Sequence, residues 1–329
     1  MDDSPAGLRV AVTGAGGFIG AATCARLVGD GADVVGLDLS AAVGGRVEAT
    51  GAAFRTADVT DPVALTRALE GCQAVVHTAA LVSDWGAMED FVRVNVGGTR
   101  TVMDAAEAVG ADRVVHLSSV ATWGYEFHGD LPSEDAPARV CGAPYVDTKT
   151  ASHLLALHRG AAVVRPGDVY GPASQPWTVR PVRMLRAGRF VLPGRGDGIL
   201  TPVYVDDLVD CVVRALVHPD AGGRAVTAHD GSPVTTREFF SYYARMLGQD
   251  GVRCLPRPLL RLAAAGFEQI ARRTGTTPDV TRQALTYLSR TGAYPNTAAR
   301  DLLGWTPSTS LPEGMARTEA WLRDEGLLG

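Results

Sequence analysis

The chain has 329 residues, of which 46% are hydrophobic and 20% are charged, and its formal net charge is -5. This composition is typical of a globular protein with a sizeable core, and it excludes an intrinsically disordered chain. The mildly acidic charge gives no reason to expect nucleic-acid binding.

Cysteine and histidine spacing predicts neither a disulfide framework nor a metal site. The five cysteines form no Cys-x-x-Cys pair, and none of the seven histidines has zinc-site spacing. We therefore expect reduced thiols in a cytoplasmic protein. The apolar run at 255–270 is interrupted by prolines and arginines. It predicts an amphipathic surface helix or a pocket lid, and no membrane span.

The first predicted element is an apolar strand at 8–13, which runs into Gly14, Gly17 and Gly20 before a helical pattern begins. One glycine allows the tight turn, one lets the backbone approach a pyrophosphate, and one lets the helix lie close to the strand. The helix N-terminus then offers unpaired N–H groups to phosphates. Asp38 ends the next strand, where it can bind both hydroxyls of an adenosine ribose and repel a 2′-phosphate. This context predicts a dinucleotide site that takes NAD in preference to NADP.

Apolar and helical runs alternate through the first part of the chain. The predicted strands are 8–13, 33–37, 53–57, 74–77 and 113–117, and the predicted helices are 18–30, 62–69 and 88–109. Because the strands are apolar almost throughout, we predict an α/β fold with a Rossmann-like, doubly wound parallel sheet. Ligands bind at the carboxyl ends of such strands, which selects Asp38, Asp58, Val59, Ala79, Ala80, Ser118 and Ser119. Asp58 can face an adenine amino group or cap the next helix.

A smaller, mostly α-helical C-terminal substrate lobe is predicted from residue 174, after a sixth strand at 162–165. We assign 1–173 to a NAD-binding Rossmann domain, rejoined by segments near 201–230, and 174–329 to the substrate lobe. A helix is predicted from 203–208 to about His218, and 224–228 is expected to return to the main sheet. Capping boxes predict two later helices, at Thr235 with Glu238 and at Ser310 with Glu313.

Three residues form the predicted catalytic set: Ser119, Tyr145 and Lys149. Tyr145 and Lys149 are four apart and share one face of a helix. A free tyrosine has a pKa of about 10, and a neighbouring ammonium and the nicotinamide cation are expected to lower it for proton exchange. Ser119 would position the substrate oxygen. The alternative is a serine at a strand end and an exposed Tyr–Lys pair.

Lys149 is the only lysine among the 31 basic residues of the chain. A surface position tolerates arginine, whereas a site that needs a compact ammonium does not. The single lysine is therefore a candidate for a chemical role. The alternative is chance drift in an arginine-rich sequence.

These pieces together resemble an extended short-chain dehydrogenase/reductase of the NAD-dependent epimerase/dehydratase family, in its 3β-hydroxysteroid dehydrogenase-like branch. The resemblance covers essentially the whole chain. It rests on the glycine turn, Asp38, Asp58, 77–80, 95–99, Ser118-Ser119, Tyr145, Lys149, 165–172 and 204–207.

The resemblance implies Tyr145 as general acid/base, Lys149 on the nicotinamide ribose and Ser119 on the substrate oxygen. The full set of predicted cofactor contacts is Gly14, Gly16, Gly17, Phe18, Ile19, Gly20, Asp38, Asp58, Val59, Ala79, Ala80, Asn95, Tyr145, Lys149, Pro166 and Val169. The resemblance also implies a homodimer through a four-helix contact, formed by the helices at 88–109 and 145–158 of each copy.

Two departures from the family pattern bear on the reaction. Val120 and Ala121 stand where dehydratases carry an acidic pair, so dehydration is disfavoured. Leu200-Thr201-Pro202 stands where sugar-nucleotide epimerases carry an Arg-Asp whose arginine holds the diphosphate. Five arginines remain that can replace it or simply lie at the surface: Arg180, Arg183, Arg186, Arg189 and Arg195.

The loop at 82–86, with Trp123, Trp177 and Phe190, predicts an apolar and aromatic substrate pocket, although each aromatic alone is more often core. The predicted substrate contacts are Ser83, Asp84, Trp85, Thr122 and Trp123. We therefore predict an NAD-dependent oxidoreductase that interconverts a secondary alcohol and a ketone on a bulky, largely apolar, steroid-like or polyketide-like molecule. Two alternatives are a nucleotide-sugar epimerase with tightly held NAD and, less favoured, a non-enzymatic cofactor sensor.

Overall fold

Parallel strands covered on both faces by helices form the centre of the computed structural model, which describes residues 4–126, 129–131 and 133–328. The strands in these residues are β1 (Arg9–Thr13), β2 (Asp33–Asp38), β3 (Ala53–Thr56), β4 (Ala74–His77), β5 (Arg113–Leu117), β6 (Ala162–Pro166), β7 (Asp168–Tyr170), β8 (Val191–Pro193), β9 (Ile199–Leu200), β10 (Pro202–Tyr204), β11 (Ala225–Ala228), β12 (Val234–Thr235) and β13 (Arg253–Leu255).

The helices surround this sheet and build most of the C-terminal region. They are α1 (Phe18–Gly29), α2 (Gly44–Glu48), α3 (Pro62–Leu69), α4 (Met88–Phe91), α5 (Gly98–Val109), α6 (Pro144–His158), α7 (Arg180–Arg186), α8 (Val205–Val217), α9 (Thr236–Met246), α10 (Arg257–Thr274), α11 (Arg282–Tyr287), α12 (Thr297–Leu303) and α13 (Leu311–Asp324). Short 3-10 turns lie at Ala41–Val43 and Val120–Trp123, and π-helical segments at Val92–Gly97 and Gln175–Val179.

Seven parallel strands form the main sheet in the order β11-β6-β5-β4-β1-β2-β3. Its direction of growth reverses at β1, which pairs with β2 on one side and with β4 on the other. A crevice opens beyond the carboxyl ends of the strands at such a reversal. The predicted doubly wound sheet is confirmed, and so is the return of the 224–228 segment, since β11 pairs with β6.

Alternation along β1 explains why the sheet is buried on both faces. Val10 and Val12 belong to one apolar cluster and Ala11 belongs to another, and all three are fully buried. Successive side chains point to opposite faces of a strand, so each face needs its own helical cover. Helices α1 and α8 cover one face, and α3 and α5 cover the other.

In the part of the chain that the structure describes, the C-terminal region from residue 174 contains seven helices, α7 to α13, of which α8 and α12 contact strands of the main sheet. Three two-stranded sheets pair β10 with β7, β12 with β9, and β13 with β8. The helix starts predicted at Thr235 and Ser310 are confirmed, because each side chain accepts a hydrogen bond from the backbone amide three residues on. The helical C-terminal lobe is therefore as predicted.

One predicted helix is divided. The sequence predicts a single helix over 88–109, whereas the structure has α4, the π-helical segment Val92–Gly97 and α5. The π-helical turn contains one residue more than an α-helical turn. It directs Asn95 into the protein, where only 2% of the residue is exposed. Gly97 ends this wide turn and Gly98 begins α5, where a Cβ would lie 2.9 Å from Val59.

No helix among the described residues combines the length and the apolar character needed to cross a bilayer.

Candidate functional site

The turn after β1 requires glycine at two positions. Gly14 has φ +69°, and a Cβ there would lie 2.8 Å from the backbone of Ala79, which follows β4. A Cβ on Gly20 would lie 2.1 Å from the Gly14 carbonyl oxygen. The glycines therefore let β1, α1 and the end of β4 approach more closely than any side chain permits.

Helix α1 begins directly after this turn with its first amides open. Gly17 is the N-cap residue, and no side chain caps the helix. Unpaired N–H groups and the positive end of the helix dipole make such a terminus an anion site. Phe18 and Ile19 are half-buried and form its first turn. The geometry fits the pyrophosphate of a dinucleotide.

Asp38 stands beside the turn at the carboxyl end of β2. Its Oδ2 accepts a hydrogen bond from the Gly16 amide at 3.0 Å, and its Oδ1 accepts one from the Ser40 amide at 3.2 Å. A Cβ on Gly16 would approach Asp38 Oδ2 to 2.9 Å and Val43 to 2.3 Å. A carboxylate held at this point fits two ribose hydroxyls and repels a 2′-phosphate, as NAD requires.

The ends of β3 and β4 complete the same edge of the sheet. Asp58 Oδ1 accepts hydrogen bonds from the amide and the hydroxyl of Thr60, both at 2.8 Å. Asp61 caps α3 through two amides at 3.0 Å, so the alternative in which Asp58 caps that helix is wrong. Contact between the adenine and Asp58 or Val59 stays a prediction. So does cofactor contact by Ala79 and Ala80, which are half-buried after β4.

Asn95 joins the loop after β4 to α6. Its Oδ1 accepts from the Leu81 amide at 2.7 Å, and its Nδ2 donates to the Leu81 carbonyl and to Thr148 Oγ1, both at 3.1 Å. Because both amide protons are used within the protein, Asn95 acts here as a positioning residue. Direct contact of Asn95 with the cofactor stays a prediction.

Ser119 and Tyr145 come together at the carboxyl end of β5. Ser119 follows that strand, Tyr145 is the second residue of α6, and their side chains are joined by a hydrogen bond. Ser119 Oγ also accepts from the Ala121 amide at 3.1 Å. Burial raises the pKa of the Tyr145 phenol, and the hydrogen bond with Ser119 opposes that rise. Two half-buried hydroxyls thus converge where a substrate oxygen can bind.

Lys149 lies one helical turn beyond Tyr145 and is 3% exposed. Its Nζ donates to the Leu117 carbonyl at 2.6 Å, and burial lowers the pKa of the ammonium to about 7. Burial is the main cause that raises the Tyr145 pKa in this arrangement. A lowering of that pKa by the ammonium together with the nicotinamide cation stays a prediction. The remaining N–H groups of Lys149 would hold ribose hydroxyls.

Three buried histidines lie around Lys149. His77 Nδ1 is 2.7 Å from Thr13 Oγ1, and the His77 and His116 rings are 5.2 Å apart. The pKa of His77 and that of His153 are lowered to about 3, chiefly by burial. The charge of Lys149 contributes at both residues, and that of Arg165 contributes at His153. The same causes hold the pKa of His116 well below its ordinary value. These rings are therefore neutral at physiological pH.

The loop after β4 lies near Tyr145. Ser83 Oγ donates to the Trp85 carbonyl at 2.8 Å and accepts from the Trp85 amide at 3.1 Å, which closes the loop on itself. Burial raises the pKa of Asp84, and the charge of Arg180 opposes that rise. Asp84 in turn raises the pKa of Tyr145. The loop therefore brings a carboxyl group to the site.

Thr122 and Trp123 lie deeper than the sequence predicted, since they are 1% and 2% exposed. Thr122 Oγ1 donates to the Ser119 carbonyl at 3.0 Å. The Trp123 indole donates to the Ala136 carbonyl at 3.0 Å and stacks on the Tyr294 ring at 5.3 Å. These positions favour the core over direct substrate contact, and both side chains support the site from behind.

Two tyrosines that the sequence did not single out form a wall beside Tyr145. The Tyr125 and Tyr287 rings meet edge to face at 4.6 Å, and both pack in the apolar cluster that contains Tyr145. Trp177 lies 5.8 Å from the Tyr287 ring and borders this wall. Phe190 packs away from it against Phe240, at 4.7 Å. No local motif marks Tyr125 or Tyr287, because only the folded chain brings them together.

A buried ion pair holds this wall in place. Arg290 Nη2 is 3.0 Å from Asp168 Oδ2, and neither side chain is exposed. The Tyr287 hydroxyl donates to the other Asp168 oxygen, and the Arg290 guanidinium lies 3.6 Å from the Tyr287 ring centroid. Asp168 shares its turn with Pro166 and Val169, whose contact with the nicotinamide stays a prediction.

The arginines considered for a diphosphate lie at the surface, and three of them donate to other groups. Arg180 and Arg189 donate to the Asp279 carbonyl and carboxylate, at 2.7 and 2.8 Å. Arg186 donates to the Leu327 carbonyl at 2.8 Å. All five are exposed: Arg180, Arg183, Arg186, Arg189 and Arg195.

Across residues 4–126, 129–131 and 133–328, no group of three or more His, Cys, Asp or Glu side chains is arranged to hold a metal ion.

Known proteins resemble the chain over nearly its whole length. It is 32% identical to the UDP-glucose 4-epimerase of Mycolicibacterium smegmatis, over 97% of this chain and 99% of that protein. It is 27% identical to the 2-alkyl-3-oxoalkanoate reductase of Stenotrophomonas maltophilia, over 95% and 99% of the two chains. An epimerase structure from Methanothermobacter thermautotrophicus superposes with a TM-score of 0.80 at 22% identity, over 100% of this chain and 96% of that one, which supports the fold.

The sequence model of the NAD dependent epimerase/dehydratase family matches residues 10–227. That segment contains the glycine turn, Asp38, Ser119, Tyr145 and Lys149. The residues that line the turn after β1 fit the dinucleotide on which the family depends. The chain therefore belongs to the NAD-dependent epimerase/dehydratase family, and NAD is its cofactor.

Proposed function

We propose that this protein is an NAD-dependent oxidoreductase that interconverts a secondary alcohol and a ketone on a bulky, largely apolar small molecule. The observation that carries the proposal is the wall beside Tyr145. That wall is built from Tyr125 and Tyr287, and the buried guanidinium next to it, Arg290, is already paired with Asp168. Aromatic surface suits an apolar substrate, whereas a diphosphate needs an available guanidinium or a cradle of amides.

Each of the three predicted catalytic residues has a separate role in this proposal. NAD, when bound, supplies the hydride acceptor or donor. Tyr145 takes the hydroxyl proton in oxidation and returns it in reduction. Ser119, hydrogen-bonded to Tyr145, holds the substrate oxygen close to the phenol. The Lys149 side chain, fixed by the Leu117 carbonyl, binds the cofactor ribose.

Substitution of the phenol tests this assignment. Tyr145→Phe should lower kcat by about 10²- to 10⁴-fold while NAD affinity is retained, because only the proton-transfer group is removed. The assay follows NADH absorbance with steroids and hydroxy-ketides as substrates, and NAD affinity is measured by protein fluorescence. Tyr242→Phe, at a half-buried tyrosine that lies over Arg245 on α9, is the matched control. Near-normal turnover by Tyr145→Phe would refute the role.

A nucleotide-sugar epimerase is the second candidate. It is supported by the charge of Arg180, which is close enough to lower the pKa of Asp84. Asp84 lies in the loop at 82–86 after β4, which we call the substrate loop. The 32% identity to a UDP-glucose 4-epimerase supports it as well. An epimerase would convert UDP-glucose to UDP-galactose without net NADH. Arg180→Gln would then raise KM for the sugar nucleotide. Apolar-alcohol oxidation with net NADH and no epimerisation would reject this candidate.

We also propose a homodimer through α4, α5 and α6. Three large apolar side chains on these helices and the adjoining π-helical segment are exposed: Met88 at 39%, Val92 at 46% and Leu154 at 54%. A face of this kind is expected to be covered by a second copy. Leu154→Glu should convert the dimer to a monomer in light-scattering chromatography, whereas Val63→Glu, at an exposed position on α3, should not. A wild-type monomer at micromolar concentration would contradict the proposal.

A further inference from the structure

Helix α10 exposes a set of large apolar side chains that the oxidoreductase proposal does not use. Leu259, Leu262, Phe267 and Ile270 are 54%, 74%, 45% and 58% exposed. The helix packs on the protein through its other side, where Ala264, Glu268 and Ala271 are buried. On an α-helix the exposed residues share a broad face that turns away from this packed side.

The number and position of these side chains are unusual for a surface helix. A surface helix normally buries its apolar stripe and presents polar residues to water. Single exposed leucines are common, but four large apolar side chains on one helix of eighteen residues form a contiguous patch. We therefore expect this patch to be covered by an apolar medium or by a binding partner.

The charge on the same helix is positive. Arg261, Arg272 and Arg273 are exposed along it. Its one acidic residue, Glu268, is buried and binds the Arg282 side chain, with Nε–Oε2 and Nη2–Oε2 distances of 2.9 Å. The helix is thus a local cationic site on a chain whose formal net charge is -5.

We propose that α10 binds the surface of an anionic lipid bilayer. Its apolar side chains would enter the boundary between headgroups and acyl chains, and its arginines would contact phosphate groups. This combination of a basic helix with Leu and Phe on its other side is the pattern of helices that lie in a membrane interface. Anionic lipid adds attraction for each arginine near the surface.

A second copy of the chain fits this surface less well. Antiparallel pairing of two α10 helices places Arg261 of each near Arg272 and Arg273 of the other, and parallel pairing sets like charges side by side. No exposed carboxylate on the helix is available to offset this repulsion. An anionic bilayer supplies the opposite charge together with the apolar medium.

The ends of α10 fix its position relative to the candidate site. The Arg272 guanidinium lies 5.5 Å from the Trp85 ring in the substrate loop, and Arg257 Nη2 is 3.1 Å from Asp197 Oδ1. Docking would therefore bring the substrate loop close to the bilayer. In a consequence that rests on the proposed function, an apolar substrate would enter beside Trp85 directly from the lipid.

The test measures binding of the full chain to sedimented vesicles and does not depend on activity. Vesicles of phosphatidylcholine and phosphatidylglycerol at three to one are compared with pure phosphatidylcholine. The wild type should bind the anionic vesicles more tightly, and this preference should weaken with salt. Leu262→Ser with Ile270→Ser should lower the affinity at least about tenfold. Arg261→Gln should lower it about fivefold for anionic vesicles only.

The matched control is Val63→Ser, which changes a side chain that is 71% exposed on α3. Its vesicle affinity should equal that of the wild type. The proposal is overturned if the wild type stays in the supernatant with both kinds of vesicle, or if the double serine variant sediments as the wild type does. It is also overturned if the double variant instead dissociates an oligomer in chromatography, since α10 would then contact a second copy. Absence of wild-type turnover with the apolar alcohols, together with intact vesicle binding, would refute the proposed reaction and leave this inference standing.

Discussion

Asp84 places a carboxyl group near the phenol of Tyr145, and its charge affects the ionisation of that phenol. Burial raises the pKa of Asp84, and the charge of Asp84 raises the pKa of Tyr145. The phenol of Tyr145 must lose its proton to act as a base in alcohol oxidation. Asp84 therefore favours the protonated phenol, and in the proposed reaction it would oppose alcohol oxidation and favour ketone reduction.

We expect Asp84→Asn to move the rise of kcat/KM for alcohol oxidation to lower pH. The change removes the negative charge that raises the Tyr145 pKa, so the phenolate forms more readily. The pH profile of kcat/KM measures the shift, with Asp112→Asn as a control at an exposed carboxylate on the opposite edge of the sheet. An unchanged profile, or a shift to higher pH, would show that Asp84 does not act on Tyr145.

At the scale of elements, the π-helical segment Val92–Gly97 connects cofactor-side and catalytic elements. Asn95 in this segment holds both backbone groups of Leu81 and the hydroxyl of Thr148 on α6. A regular α-helix over the same residues would turn this side chain differently. The wide turn therefore couples the loop after β4 to the helix that carries Tyr145 and Lys149.

Asn95→Ala should lower the free energy of unfolding by about 2 to 4 kcal/mol, because it leaves buried hydrogen-bonding groups unpaired. It should also weaken NAD binding, since the loop after β4 loses its anchor. Urea unfolding and cofactor titration measure the two effects. Asn296→Ala removes one amide hydrogen bond, to the His229 carbonyl, and serves as the control. Equal effects of the two variants on NAD affinity would contradict the coupling.

At the scale of the whole molecule, buried histidines make stability depend on pH. Among the described residues four histidines are buried, and burial lowers the pKa of each: His77, His116, His153 and His229. Histidines in the unfolded chain titrate near pH 6.5. Below that pH the unfolded chain takes up protons that the buried histidines of the folded protein do not. The free energy of unfolding is therefore at its full value above that pH and decreases as the pH falls. Asp230, whose pKa burial raises to about 7, acts in the opposite direction.

We expect the free energy of unfolding to fall by about 3 to 4 kcal/mol per pH unit near about pH 5.5, for a net uptake of roughly two to three protons. Urea titrations between neutral and acidic pH measure this slope. His153→Gln should reduce the uptake by about one proton, because it removes one excluded histidine. Stability that stays constant, or rises, as pH falls from neutral to about 5 would contradict this account.

Local patterns in the sequence were enough to predict the Rossmann-like sheet and the convergence of Ser119 with Tyr145. The glycine turn, the apolar strands and the four-residue spacing of Tyr145 and Lys149 each involve few consecutive residues, and backbone geometry restricts what those residues can form. Asp38 at the end of β2 follows from the same reasoning, because it is placed by the strand that precedes it.

Tertiary structure alone decided the wall of the site and the ionisation of its groups. Arg290 meets Asp168 across 122 residues of chain, and Tyr287 meets Tyr125 from another part of the fold. Burial raises the Tyr145 pKa and lowers that of Lys149, and the spacing of the two residues along the helix reveals neither effect. The physical reason is that desolvation and long-range partners depend on everything packed around a group, whereas spacing along one helix fixes only which side chains share its face.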